Sequence, residues 1–152
     1  MSDEVQARDA RPASYRTVVA DGVPELDQRL SDELDKVNDA ATAGVPPSRE
    51  LTVQLIDSSG ELAAGMSGWT WGVAAGIAMT WVREGARGDG LGVRLLANFE
   101  DEARARGCHH VFVTSFTFQA PGFYERHGYR EIFRWEGVPT PGAADVHFRK
   151  DL

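Results

Sequence analysis

Twenty-one consecutive residues, Leu62 to Val82, carry no charge. A run of that length either spans a bilayer, which takes about 20 apolar residues, or lies inside a folded domain. Gly65, Gly68, Gly72 and Gly76, with Ser67, Thr70 and Thr80, interrupt it. The run is therefore predicted to form two buried strands, over 61–70 and 74–82, turning near Trp71-Gly72. A glycine-rich turn follows Val82, as the end of a strand requires, and the membrane span is rejected.

The flanking segments extend this into a mixed sheet. Tyr15–Ala20 is a short β-rich run. Leu26, Leu30, Leu34 and Val37 mark one stripe of an amphipathic helix over 24–40. Leu51–Ile56 reads as a strand, and Leu95, Leu96, Phe99 and Ala103 mark a second helix from Leu91 to Arg106, capped by Gly107. Val111–Phe116 is a strand, Pro121–Arg126 a short helix with proline in its first turn, and Tyr129–Trp135 and Val146–Leu152 are closing strands. The order β, α, three β, α, β, α, β, β specifies an α/β fold with one mixed sheet. Its 152 residues suit a single domain over 14–152, after a polar, aperiodic and flexible tail over 1–13.

The segment richest in chemistry is Arg87-Gly-Asp-Gly-Leu-Gly92, after a strand and at the start of a helix. Glycines let backbone N–H groups approach an anion, and the helix dipole adds about half a positive charge. A Walker loop is excluded because the turn ends Gly-Val-Arg, without the Lys-Ser/Thr pair. A dinucleotide fingerprint would need a third glycine where Val93 stands, and would open a βαβ unit rather than follow a hairpin.

Val82-x4-Arg87-Gly-x-Gly-x-Gly92 resembles the acetyl-CoA pyrophosphate loop of the GCN5-related N-acetyltransferases (GNAT), whose pattern is Arg/Gln-x-x-Gly-x-Gly/Ala. A second stretch, Ala120-Pro-Gly-Phe-Tyr124-Glu-Arg-His-Gly128-Tyr129, is similar to that family's A-x-x-hydrophobic-Tyr-x-x-x-Gly-Phe/Tyr segment. Gly65-x-x-Gly68-x-Thr70 and Phe118-Gln119-Ala120 look like one small bacterial branch of it. The resemblance implies the GNAT fold, a central mixed β-sheet flanked by helices, and acetyl-CoA as co-substrate. It implies that backbone groups at Trp81, Val82 and Arg83 pair with the pantetheine arm. The amides of Arg87, Gly88, Asp89, Gly90, Leu91, Gly92 and Val93 would cradle the pyrophosphate. Arg83, Arg87 and Arg94 supply local positive charge, offset by Glu84 and Asp89. Thr117 stands where many members carry an Asn that contacts the pantetheine.

The resemblance also makes Tyr124 the catalytic candidate. Amine attack on a thioester expels a thiolate, and a phenol of pKa ~10 can donate a proton to it. No base is assigned: residues 73–82 hold no acid, Glu84 lies just beyond, His109 and His110 open a strand, and a water chain would also serve. Cys108 reads as packing rather than an acetyl carrier, and as the single cysteine it excludes an internal disulfide framework. Trp69, Trp71, Trp81, Phe116 and Phe118 are core aromatics or acceptor-pocket walls. No cluster has metal-ligand spacing, so no metal is expected.

Charge bears on partners. The 16 basic and 23 acidic residues sum to −7, which argues against nucleic acid. Residues 21–39 contain seven acids (Asp21, Glu25, Asp27, Asp32, Glu33, Asp35, Asp39) against Arg29 and Lys36. This is either a solvated helix face or an acidic lip that attracts a protonated amine. The N-terminus lacks an apolar core of the secretory kind, and with no membrane span a cytoplasmic location is expected. The expectation is therefore an N-acetyltransferase acting by direct transfer on a small amine, with a cationic acceptor favoured, and the resemblance also allows a homodimer. Its rivals are a non-catalytic acetyl-CoA-binding sensor or interaction module, and a Rossmann-type binder.

Overall fold

The computed structural model describes residues 14–152; the expected tail over 1–13 lies outside the described residues. The chain divides into two units at Asn38/Asp39. In the first, residues 14–23 form neither helix nor strand, so the strand expected over Tyr15–Ala20 is not made. β-Branched residues favour a pleated surface only where a neighbouring strand receives them; here Tyr15 and Val19 are each 91% exposed. Helix α1, Pro24–Ala41, starts on a proline and carries Glu25 and Asp27 in its first turn, where the dipole favours acids. It runs across the division between the units. The stripe of Leu26, Leu30, Leu34 and Val37 is present, yet α1 has no buried residue.

The second unit is built on six strands: β1 (Arg49–Ile56), β2 (Leu62–Trp71), β3 (Ala74–Val82), β4 (His110–Phe116), β5 (Arg130–Glu136) and β6 (Ala144–Asp151). Their spatial order is β1-β2-β3-β4-β6-β5. Every pairing is antiparallel except β3 with β4, which is parallel. The uncharged run thus forms β2 and β3, as expected. No helix among the described residues is long and apolar enough to cross a membrane.

Helix α2 (Leu91–Ala105) supplies the crossover between the parallel strands and packs on β1, β2 and β3; α3 (Pro121–Arg126) packs on β4 and β5. Leu95, Leu96, Phe99 and Ala103 are buried against Met66, Ile77, Val111, Val146 and Phe148. Gly107, at φ +87°, stops α2: its N–H bonds Arg104 O and the Cys108 N–H bonds Ala103 O, each at 2.9 Å. This pairing satisfies two terminal carbonyls and needs the left-handed conformation that glycine adopts freely.

Two glycines of the uncharged run serve close packing. A Cβ at Gly68 would overlap the carbonyl oxygen of Gly76, and one at Gly76 would enter the Trp69 ring. At Gly65 the added carbon meets only ordinary contacts of 3.7–3.9 Å. Gly68→Ala is therefore expected to cost about 1–3 kcal/mol, the usual scale of overpacking, and Gly65→Ala within about 0.5 kcal/mol of none. Urea unfolding of both variants checks this; equal midpoints would show that β2 and β3 can move apart freely.

Candidate active site

The parallel pair is short. Its register runs through four residues, from Ala74↔His110 to Ile77↔Val113, although β3 continues to Val82 and β4 to Phe116. Just where pairing stops, the register with β2 steps from Ser67↔Met79 to Gly68↔Ile77, leaving Ala78 as an extra residue in β3. A bulge bends the strand that carries it, and here it coincides with the divergence of β3 from β4. The two strands open into a cleft of about 650 Å³, lined by Ala78 to Val82, Val113 to Ser115, Phe118 to Ala120, Phe123 and Tyr124, with Arg87 and Gly92 at one end. Backbone groups of Ala78–Val82 on the side facing β4 have no strand beside them.

At that end, β3 passes through a short 3-10 turn, Glu84–Ala86, into the glycine loop and α2. Gly88 and Gly90 adopt φ +89° and +75°, and Gly90 is the N-cap of α2. The first intrahelical bond runs from Arg94 N–H to Gly90 O at 3.1 Å, so the amides of Leu91, Gly92 and Val93 lie ahead of it as terminal donors. The loop is anchored at both sides. Arg87 Nε donates to Val82 O at 3.4 Å, and a Cβ on Gly92 would stand 3.3 Å from the Phe123 ring of α3. Arg94 is exposed on the first turn of α2, while Asp89 and Val93 are exposed beside the glycines.

Other candidates hold different posts. Arg83 pairs with Asp57 at 2.9 Å, closing the β1–β2 turn onto the end of β3. The Ser59 hydroxyl, the Glu61 amide and Arg83 together hold the Asp57 carboxyl well below the usual carboxylate range. Trp81 lines the cleft and is about half exposed. Thr117 joins β4 to β6: its N–H donates to Ala144 O at 2.9 Å and its hydroxyl accepts from Ala144 N–H at 3.1 Å. It is not among the cleft-lining residues. Glu84 is exposed in the 3-10 turn. His109 and His110 sit at the opposite end of β4, His110 about 13 Å from Thr114 by strand rise; His110 Nδ1 is 3.0 Å from Asp151. Cys108 is buried, with its thiol toward Ala74 O.

Tyr124 is brought to the cleft. Its ring sits in the core with Phe123, Tyr129 and Phe148 around it, while its hydroxyl donates to Thr80 Oγ1 on β3 at 3.2 Å. Burial pushes its phenol pKa up, against a smaller opposite effect of the Thr80 hydrogen bond. The group therefore holds its proton at neutral pH. The sequence reading missed Thr80, although its place two residues before Val82 on β3 puts both on one face of an alternating strand. Ser115 was missed too, and Gln119 was named only as part of the resemblance; they shape the end of β4 by accepting from Ala120 N–H (3.2 Å) and Phe116 N–H (2.9 Å). Tyr129, beside the glycine that ends α3, donates to buried Glu100 at 3.1 Å, and Lys150 pairs with the same carboxylate at 2.8 Å. That network ties α2 to β6 behind the cleft and is structural. No group of three metal-ligating side chains occurs among the described residues.

This arrangement can hold an elongated ligand between two parallel strands, bind an anion at the loop, and present one protonated phenol. Blasticidin-S acetyltransferase of Streptomyces morookaense is 49% identical over 75 residues, 47% of this chain and 53% of that protein, so the match spans about half of that relative's length. An acetyltransferase of Bacillus cereus ATCC 14579 superposes with a TM-score of 0.78 at 29% identity, covering 90% of this chain and 98% of that one. An aminoglycoside 6'-N-acetyltransferase complexed with coenzyme A shares the fold at 18% identity and a TM-score of 0.61, over 85% of this chain and 92% of that one. The model of the Acetyltransferase (GNAT) family matches residues 14–129. With its divided parallel strands, its glycine loop and its tyrosine, the chain belongs to the GNAT acetyltransferase family.

Proposed function

We propose that this protein transfers the acetyl group of acetyl-CoA to a primary amine of a small cationic acceptor. The observation that carries the reading is the divided β3–β4 pair, with terminal amides at one end of the opening and the Tyr124 hydroxyl on its wall. The residues fit the cofactor: amides of 88–93 with Arg87 suit a pyrophosphate, and the unpaired edge of Ala78–Val82 suits an amide-bearing pantetheine arm laid like a further strand. Arg83, already paired with Asp57, supports the loop rather than the phosphates.

In the reaction the amine lone pair forms a C–N bond to the thioester carbonyl carbon, and the C–S bond breaks. An amide N–H of the bulged stretch from Ala78 donates to the carbonyl oxygen as it gains charge. Tyr124 gives its proton to the departing thiolate, and the nitrogen's surplus proton leaves to a base. Two observations favour a cationic acceptor. The net charge of −7 raises the local concentration of cations, and a relative matched over about half of its length is named for blasticidin S.

The test is steady-state release of CoA from acetyl-CoA with a panel of amines. Cationic acceptors, blasticidin S among them, are expected to turn over, and acidic metabolites are not. Binding of CoA without release on any amine would make the protein a binding module and overturn the reading.

A further inference from the structure

We propose that His147, held by Asp145, is the base that takes the proton from the acceptor amine. This rests on the acetyl-transfer reading above and deepens it. Strand β6 alternates: Val146 and Phe148 are buried in the core, while Asp145 and His147 stand on the opposite face. Register carries that face to the cleft. Thr114, the first residue of β4 past its last pairing with β3, lies directly opposite His147, and Phe116 lies opposite Asp145. Thr114 lines the cleft, so the imidazole stands one strand away from the opening, level with the point where β3 and β4 part.

The pair is built to orient that imidazole. His147 Nε2 is 3.1 Å from Asp145 Oδ2. An ionised carboxylate only accepts hydrogen bonds, so Nε2 carries the hydrogen and the lone pair falls on Nδ1. Asp145 sits between Phe116 on β4 and Trp135 on β5 by register, and its other oxygen is buried with no hydrogen-bond partner among the described residues. Its one polar partner there is His147. The imidazole edge packs on the Phe133 ring at 5.3 Å between centroids, and its side chain is 34% exposed, open to an incoming acceptor. A carboxylate with one oxygen buried and unpartnered is costly to keep, and orientation of a partner ring gives it a use. Tyr124, on the cleft wall, and His147, one strand away opposite Thr114, are thus the donor to the leaving thiolate and the acceptor from the entering amine. The step balances: the entering ammonium loses H⁺ to Nδ1 before its lone pair attacks, the resulting imidazolium returns that proton to water, and the surplus proton of the tetrahedral nitrogen also passes to water.

The test compares two acceptors that the wild-type protein acetylates: a strongly basic alkylamine, and an alkoxyamine that is largely unprotonated at the assay pH. His147→Gln should lower kcat/KM for the alkylamine by roughly 10²–10⁴-fold, the range for a positioned base. The loss for the alkoxyamine should be less than about tenfold, because little proton must be removed. CoA affinity by calorimetry should be unchanged. Asp145→Asn should show the same inequality with a smaller loss, since it acts by positioning. Near wild-type rates in His147→Gln, or equal losses for both acceptors in both variants, overturn the assignment. If the wild-type protein releases CoA with no amine of the panel, it is the acetyl-transfer reading that has failed.

Discussion

Tyr124→Phe is expected to lower turnover with a good acceptor roughly 10²–10⁴-fold, the scale for loss of a positioned acid, while CoA affinity changes little. The substitution keeps the ring that packs against Tyr129 and Phe148 and deletes only the hydroxyl bonded to Thr80 at 3.2 Å. Thr80 is exposed and can take water instead, so the stability cost should stay near the ~1 kcal/mol of one hydrogen bond. The raised phenol pKa has a definite sign. Burial favours the neutral form, so the donor stays loaded through neutral pH and the rate should not fall until the solution is strongly alkaline. Thr80→Val separates the roles: it removes the partner but leaves the donor, and should cost much less than Tyr124→Phe. Steady-state kinetics on both variants decide the matter. An unchanged rate in Tyr124→Phe would leave the phenol a packing residue.

What the sequence could and could not reveal follows from the range of each interaction. The helices were legible because their signals are local: the stripe of Leu95, Leu96, Phe99 and Ala103, Gly107 at the end, and Pro121 at a start. The loop and Tyr124 were legible through spacing along the chain and through the family resemblance. Tyr15–Ala20 misled because β-propensity says nothing about whether a partner strand arrives. The extra residue Ala78 was invisible, since a bulge is a property of the β2–β3 register rather than of one strand. The partners of Arg83 and Thr117 were out of reach of the sequence, because Asp57 lies 26 residues from the one and Ala144 27 residues from the other. The last strand was expected to begin at Val146, after a stretch that holds Pro139, Pro141 and Gly142. It begins at Ala144, and those two extra residues bring Asp145 onto the same face as His147.

Gly90→Val should abolish measurable CoA binding in a protein that still folds. Nothing lies within 4 Å of a Cβ built at Gly90, so the variant meets no steric wall in the fold. The obstacle is the backbone: φ is +75°, where a branched side chain is a genuine outlier and a left-handed residue costs about 1–2 kcal/mol. The loop relieves that strain by turning residue 90 toward negative φ, which redirects the amides of Leu91, Gly92 and Val93 that it introduces. The expected urea midpoint therefore corresponds to a loss of only about 1–2 kcal/mol. The amides proposed to hold the phosphates, by contrast, lose alignment together, and affinity should fall by about 100-fold or more, as for loss of two charge-assisted hydrogen bonds of about 1.5–3 kcal/mol each. Gly85→Ala is the control, because that glycine also has open space around it but no positive φ, and it should bind CoA like the parent. Wild-type binding should weaken as salt rises if Arg87 and the exposed amides hold the phosphates at the surface, where charges are screened within ~10 Å at 0.1 M. Calorimetry at two ionic strengths measures all three proteins. If Gly90→Val binds CoA as the parent does, the anion is held elsewhere than on this helix start, and the loop serves only to turn the chain from β3 into α2.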